Sequence, residues 1–148
     1  MTSLSKPVQV APTGHPAYSQ TFPCEPSTAE IGRKLVRDVL GVWNLDNLAD
    51  VAALIISELI ANAVRHTPCD SLRLIIGRPS ATRLRVGVVD RAPTRKPVLG
   101  QVGEDDESGR GLLLIDGIAD RWGYDLHGPD ERPRCKEVWA ELFMKGDE

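Results

Sequence analysis

The sequence predicts an α/β fold of the α+β kind, a two-layer sandwich with helices packed on one face of a mixed β-sheet. Three observations carry that expectation. Two helical stretches precede the strands and a third falls between strands, an order that favours helices layered on a sheet. Residues 51–64 are almost wholly apolar, interrupted only by Ser57, Glu58 and Asn62, as in a helix buried on most sides. Leu84, Val86 and Val88 alternate with Arg83, Arg85 and Gly87, which gives a strand one buried and one wetter face.

Each element has its own signal. Residues 1–20 are rich in Pro, Ser, Thr and Gly and lack periodicity, so they read as a flexible arm ending in a short extended piece near Tyr18 to Phe22. Ser27-Thr28-Ala29-Glu30 fits a capping box at a helix start. Ile31, Leu35, Val36, Val39 and Leu40 follow at helical spacing, and Gly41 is a stop signal, which places a first helix at about 28–40. Asp46 can cap a second helix over about 47–66, which has no internal Gly or Pro and ends before Thr67-Pro68.

Two β-rich runs, 72–76 and 83–89, are joined by Gly77-Arg78-Pro79-Ser80-Ala81-Thr82, which reads as a hairpin. From 91 to 110 the chain holds Pro93, Pro97, Gly100, Gly103 and the acidic run Glu104-Asp105-Asp106-Glu107, a connection long enough to be read as a lid. A helix over 111–119 and strands over 122–126 and 137–143 complete the series. There are no internal repeats, and residues 21–144 read as one domain.

Composition narrows the function classes. A chain of 148 residues matches the commonest size of a single domain, so no second domain is expected. With 18 Lys+Arg against 21 Asp+Glu the net charge is −3, which provides no electrostatic footprint for nucleic acid or an anionic membrane. No stretch approaches the ~18 apolar residues of a membrane span, and Lys6, Pro7, Pro12 and Pro16 interrupt the place of a signal peptide, so a cytoplasmic location is expected. Cys24, Cys69 and Cys135 lack metal-site spacing and read as reduced thiols.

Chemistry concentrates in three places. Glu58, Asn62 and His66 recur every four residues, so they stack turn upon turn along one side of the apolar helix. A desolvated polar group without a partner costs ~1 to 3 kcal/mol, so the stripe requires a protein or ligand partner unless it forms a solvated strip or pairs with Arg65. His66 also suits the negative end of the helix dipole. The second place is Glu107-Ser108-Gly109-Arg110-Gly111, ahead of Leu112-Leu113-Leu114-Ile115. Glycines at a helix start let backbone amides approach an anion, although a plain turn accounts for them too. It is neither a P-loop nor a dinucleotide fingerprint. The third is Asp90, which ends an apolar strand and can accept a hydrogen bond from an exocyclic amine or initiate a turn.

In order, Ser57-Glu58-Leu59-Ile60-Ala61-Asn62-Ala63-Val64-Arg65-His66, then Val88-Val89-Asp90, then Gly109-Arg110-Gly111-Leu112-Leu113-Leu114-Ile115 resemble the gyrase, heat-shock chaperone, histidine kinase and mismatch-repair (GHKL) ATP-binding superfamily. Asp120-Arg121-Trp122-Gly123 and Val138-Trp139-Ala140-Glu141-Leu142 look like its short bacterial branch, the anti-sigma-factor serine kinases. The resemblance spans about residues 22–143 and implies the superfamily's ATP-binding sandwich. It implies that Asn62 coordinates Mg²⁺ bridging the phosphates of ATP and that Glu58 is the general base. It implies further that Asp90 holds the adenine amino group, that Gly109, Arg110 and Gly111 present amides to phosphate, and that Arg65 and His66 lie near the pocket mouth.

Two departures from the family pattern stand out. Ala92 and Thr94 replace the glycines that commonly follow the aspartate, and Glu137 is expected at a last-strand position often held by threonine. Asp90 and Glu137 would then repel each other unless one is protonated or the two are bridged. The acidic run at 104–107 beside a phosphate cradle would also oppose ATP unless the lid carries it outward or Mg²⁺ and Arg110 offset it.

The expected function is Mg-ATP-dependent phosphorylation of a serine or threonine on an anti-anti-sigma-type partner, with a sigma factor and a second copy of the chain as further partners. The alternative is a switch that binds ATP and a protein partner with negligible turnover. The ATP-binding half of a histidine kinase fits less well, since His66 before Thr67-Pro68 is a poor setting for a phosphoacceptor.

Overall fold

The structure is a computed structural model that describes residues 9–10, 16–66, 70–91, 107–128 and 135–144, with backbone alone for 9–10 and 107–112. Six strands form one sheet in the order β1-β2-β3-β4-β6-β5. They are β1 (Gln9–Val10), β2 (Pro16–Pro23), β3 (Ser71–Ser80), β4 (Arg83–Asp90), β5 (Arg121–His127) and β6 (Cys135–Phe143). The helices are α1 (Thr28–Val42), α2 (Ala49–His66), which follows a 3-10 turn at Asp46–Leu48, and α3 (Glu107–Ile118).

The α+β sandwich is as expected, but every described strand pairing is antiparallel, where a mixed sheet was expected. The reason lies in the chain path. Strands β4 and β5 flank a helix in sequence and run the same way, which at sequence level reads as a parallel pair. In the sheet β6 lies between them and is antiparallel to both.

The sheet also reaches further toward the N-terminus than the expected arm allows. Strand β2 begins at Pro16, and Gln9–Val10 pairs with Pro16 and Ala17. Across the sheet, Tyr18, Leu72, Leu74, Ile76, Leu84, Val86, Val88, Val138, Ala140 and Leu142 are buried in one core with Val36, Leu40, Ile55, Ile56 and Ile60 of the helices. Helix α1 packs over β2 and β3, α2 over β4 and β6, and α3 against α2 and β5. Gly32 makes the α1–α2 approach close, since a Cβ there would lie 2.5 Å from Cδ1 of Ile60.

Local signals differ in detail. The Ser27 hydroxyl does not cap α1: its backbone is already helical (φ −64°, ψ −19°), and it donates instead to Glu25 at 3.0 Å. Helix α1 runs past Gly41, and Asn44 at φ 58° ends it. The Asn44 amide donates to the Gly41 carbonyl at 3.2 Å and that of Leu45 to Leu40 at 2.8 Å, the paired bonds of a Schellman motif. The β3–β4 connection is tighter than expected, a turn at Ala81-Thr82 with a bulge between Gly77 and Ser80 that accommodates Pro79. Asp46–His66 is long and apolar enough to cross a membrane, contrary to the sequence expectation, and here it serves as the core helix against the sheet. Cys24 and Cys135 are not joined to each other by a disulfide, and Cys69 lies outside the described residues.

Candidate functional site

The polar stripe lies at the margin of the core. On α2 the side chains of Leu59, Ile60 and Ala63 are buried and those of Leu54 and Arg65 are exposed, with Glu58, Asn62 and His66 half-buried between them. One helical turn separates each from the next, so a carboxylate and an amide oxygen stand one above the other at the core boundary. The direction of α2 places them at one pole of the sheet. Its start lies near the opposite pole, where Asn47 and Leu48 share a cavity of about 540 Å³ with Arg78 of β3 and Phe143 of β6. Eighteen residues of helix therefore carry Asn62 and His66 toward the end where β4 finishes and β6 begins.

Asp90 stands at that end. It is the last residue of β4 and continues the inward series Leu84, Val86, Val88, so its carboxylate faces the helix layer and is only 2% exposed. Its cross-strand neighbour is Lys136, whose Nζ lies 3.7 Å from Asp90 Oδ2 with the side chain 5% exposed. That distance is an ion pair rather than a hydrogen bond.

This arrangement corrects the expected conflict between Asp90 and Glu137. Glu137 is paired with Val89, so strand alternation turns it to the opposite face of the sheet. There Arg85 serves three carboxylates, with Asp125 at 3.0 Å, Glu137 at 3.5 Å and Glu141 at 3.6 Å, while its guanidinium lies 4.2 Å from the centre of the Trp139 ring. His127 approaches Glu137 at 3.2 Å and Arg121 approaches Glu141 at 3.6 Å. Sequence reasoning missed Lys136, yet its signal was present. Counting back by twos from Leu142, Ala140 and Val138 puts Lys136, not Glu137, on the inner face.

Helix α3 begins at Glu107, four residues before the expected start, so Gly109, Arg110 and Gly111 lie inside its first turns. The first four amides of a helix lack intrahelical acceptors, which includes Gly109 and excludes Gly111 in this conformation. The helix still directs its positive end toward the chain before it. Of the expected lid, residues 92–106, including Ala92, Thr94 and most of the acidic run, lie outside the described residues. A second described cavity, about 230 Å³ and lined by Tyr18, Arg73 and Ile75, includes none of Glu58, Asn62 or Asp90 in its lining.

The donors suit a hard divalent cation held mainly by phosphate and water. Among the described residues no three His, Cys, Asp or Glu side chains gather into a metal cluster. Mg²⁺ does not require one, because it is commonly bound through one or two protein oxygens plus substrate phosphate. The Asn62 amide oxygen is such a donor, one turn from the Glu58 carboxylate.

Comparison with known proteins identifies the family of the domain. A match of 44% identity covers 40% of the chain and 66% of an uncharacterized protein from Streptomyces coelicolor, so the chain spans just under two thirds of that relative. The family model of the histidine kinase-like ATPase domain matches residues 22–141, which contain α2, Asp90, α3 and all but the last residues of β6. A domain of that description binds ATP. The chain belongs to the histidine kinase-like ATPase domain family.

Proposed function

We propose that the protein is a Mg-ATP-dependent protein kinase that transfers the γ-phosphoryl group to a serine or threonine of an anti-anti-sigma-type partner, in the cytoplasm, and thereby adjusts a sigma factor. The observation that carries the reading is the half-buried stripe of Glu58, Asn62 and His66 at the same pole of the sheet as buried Asp90.

Mg²⁺ bound by Asn62 supplies neutralisation of phosphate charge. Glu58, one turn away, accepts the proton of the attacking hydroxyl while that oxygen bonds to the γ-phosphorus and the bond to the bridging oxygen breaks, leaving ADP. Asp90 accepts a hydrogen bond from the amino group of the base. The start of α3 brings its dipole and the Gly109 amide toward phosphate, and Arg110 adds a cation. His66 lies at the pocket mouth.

The switch alternative loses part of its motivation, because Glu137 faces away from Asp90. The reading is tested by incubating the chain with Mg-ATP and purified anti-anti-sigma-type proteins and mapping phosphoserine or phosphothreonine by mass spectrometry. Nucleotide binding with no transfer to any of them would replace the kinase by the switch.

A further inference from the structure

We infer that Lys136 is a base-recognition residue, donating to a ring nitrogen of the purine beside the amino group that Asp90 accepts. The inference rests on the nucleotide-binding reading and adds to it a contact on the last strand.

Lys136 and Asp90 are direct cross-strand partners on the helix side of the sheet, 5% and 2% exposed, with Nζ and Oδ2 3.7 Å apart. Burying an ammonium is expensive, and a buried ion pair seldom stabilises a fold more than apolar residues of the same size. A pair kept in such a place therefore invites a role beyond packing. Its neighbours on the same face are apolar, Val88 and Val138, so the ammonium and carboxylate form a polar end to an otherwise hydrophobic wall.

That end is a donor next to an acceptor. The adenine amino group is a donor flanked by two acceptors, N1 and N7, so an edge-on base can give its amine proton to the carboxylate and accept from the ammonium. The 3.7 Å separation exceeds hydrogen-bond length. An inserted base edge would thus give the two side chains directed, charge-assisted bonds of a kind that their contact with each other does not supply. A carboxylate alone would read only the amine. The pair also requires the neighbouring ring nitrogen.

The test compares ATP, 1-deaza-ATP and 7-deaza-ATP, which retain the amino group while CH replaces one ring nitrogen, by calorimetric titration of the full chain in Mg²⁺. One analogue should bind about 10- to 100-fold more weakly than ATP, the loss expected for a hydrogen bond from a charged donor, and its identity reports whether N1 or N7 is used. Lys136→Met should erase that difference and Lys136→Arg should retain part of it, with thermal melts reporting folding. The wild-type series stands even where Lys136→Met unfolds. Equal affinity of all three nucleotides for the wild type, or a difference that persists in folded Lys136→Met, overturns the inference. If ATP itself fails to bind, the nucleotide reading falls first and the inference falls with it.

Discussion

Glu58 and Asn62 differ in what their loss should do. Glu58→Gln retains shape and hydrogen bonding but removes the base, so phosphoryl transfer should fall by about 10² to 10⁴ while ATP affinity changes little. Equal loss of both in paired turnover and titration measurements would contradict the assigned role. Asn62→Ala removes an oxygen ligand, and ATP affinity should fall in Mg²⁺ while the weaker metal-free affinity, measured in EDTA, stays the same. On the other face, Arg85 is shared by Glu137 and Glu141, whose side chains are 9% and 4% exposed. Arg85→Ala leaves two buried carboxylates with, among the described residues, His127 and Arg121 as their remaining ion-pair partners, so unfolding free energy should drop by about 2 to 4 kcal/mol in a urea titration. Lysine at the same position should recover only part, since one ammonium cannot reach three carboxylates as a planar fork does.

At the scale of elements, close packing and chain reversal outweigh propensity. Gly32 lies within α1, where alanine has an intrinsic advantage of about 1 kcal/mol. A methyl group there meets buried Ile60 at 2.5 Å, and overpacking a filled core costs about 1 to 3 kcal/mol, so Gly32→Ala should destabilise slightly or be neutral rather than stabilise. Asn44 ends the same helix at φ 58°, which costs most non-glycine residues about 1 kcal/mol. Asn44→Gly should therefore be tolerated, and Asn44→Ala should lower the melting temperature. The helix positions themselves were legible, because α1 follows a 3.6-residue pattern and α2 is a long apolar run without Gly or Pro. Their caps were not: Ser27 and Gly41 carry the right chemistry, but neighbouring contacts set the backbone angles that decide which residue caps.

For the whole molecule, ligand binding and stability are linked. With Mg-ATP at ~100 times its dissociation constant the folded state should gain about 2.7 kcal/mol, a rise of roughly 5 to 10 °C in the melting temperature of a domain this size. A flat melt would show that the site does not engage nucleotide. Magnesium without nucleotide should produce a much smaller shift, because the described residues supply no cluster of metal-binding side chains.

By itself the sequence determined the α+β class, the run of apolar α2, the stripe of Glu58, Asn62 and His66, and the inward place of Asp90. All of these follow from periods of 3.6 and 2 that one segment carries alone. Only the tertiary structure decided that β6 inserts between β4 and β5, and that the register sets Lys136, among the inner-face residues of β6, opposite Asp90. Pairing and register depend on which distant segments share a core. A shift of one residue turns every side chain of a strand to the other face, so the identity of the charge beside Asp90 rests on contacts between residues far apart in the chain.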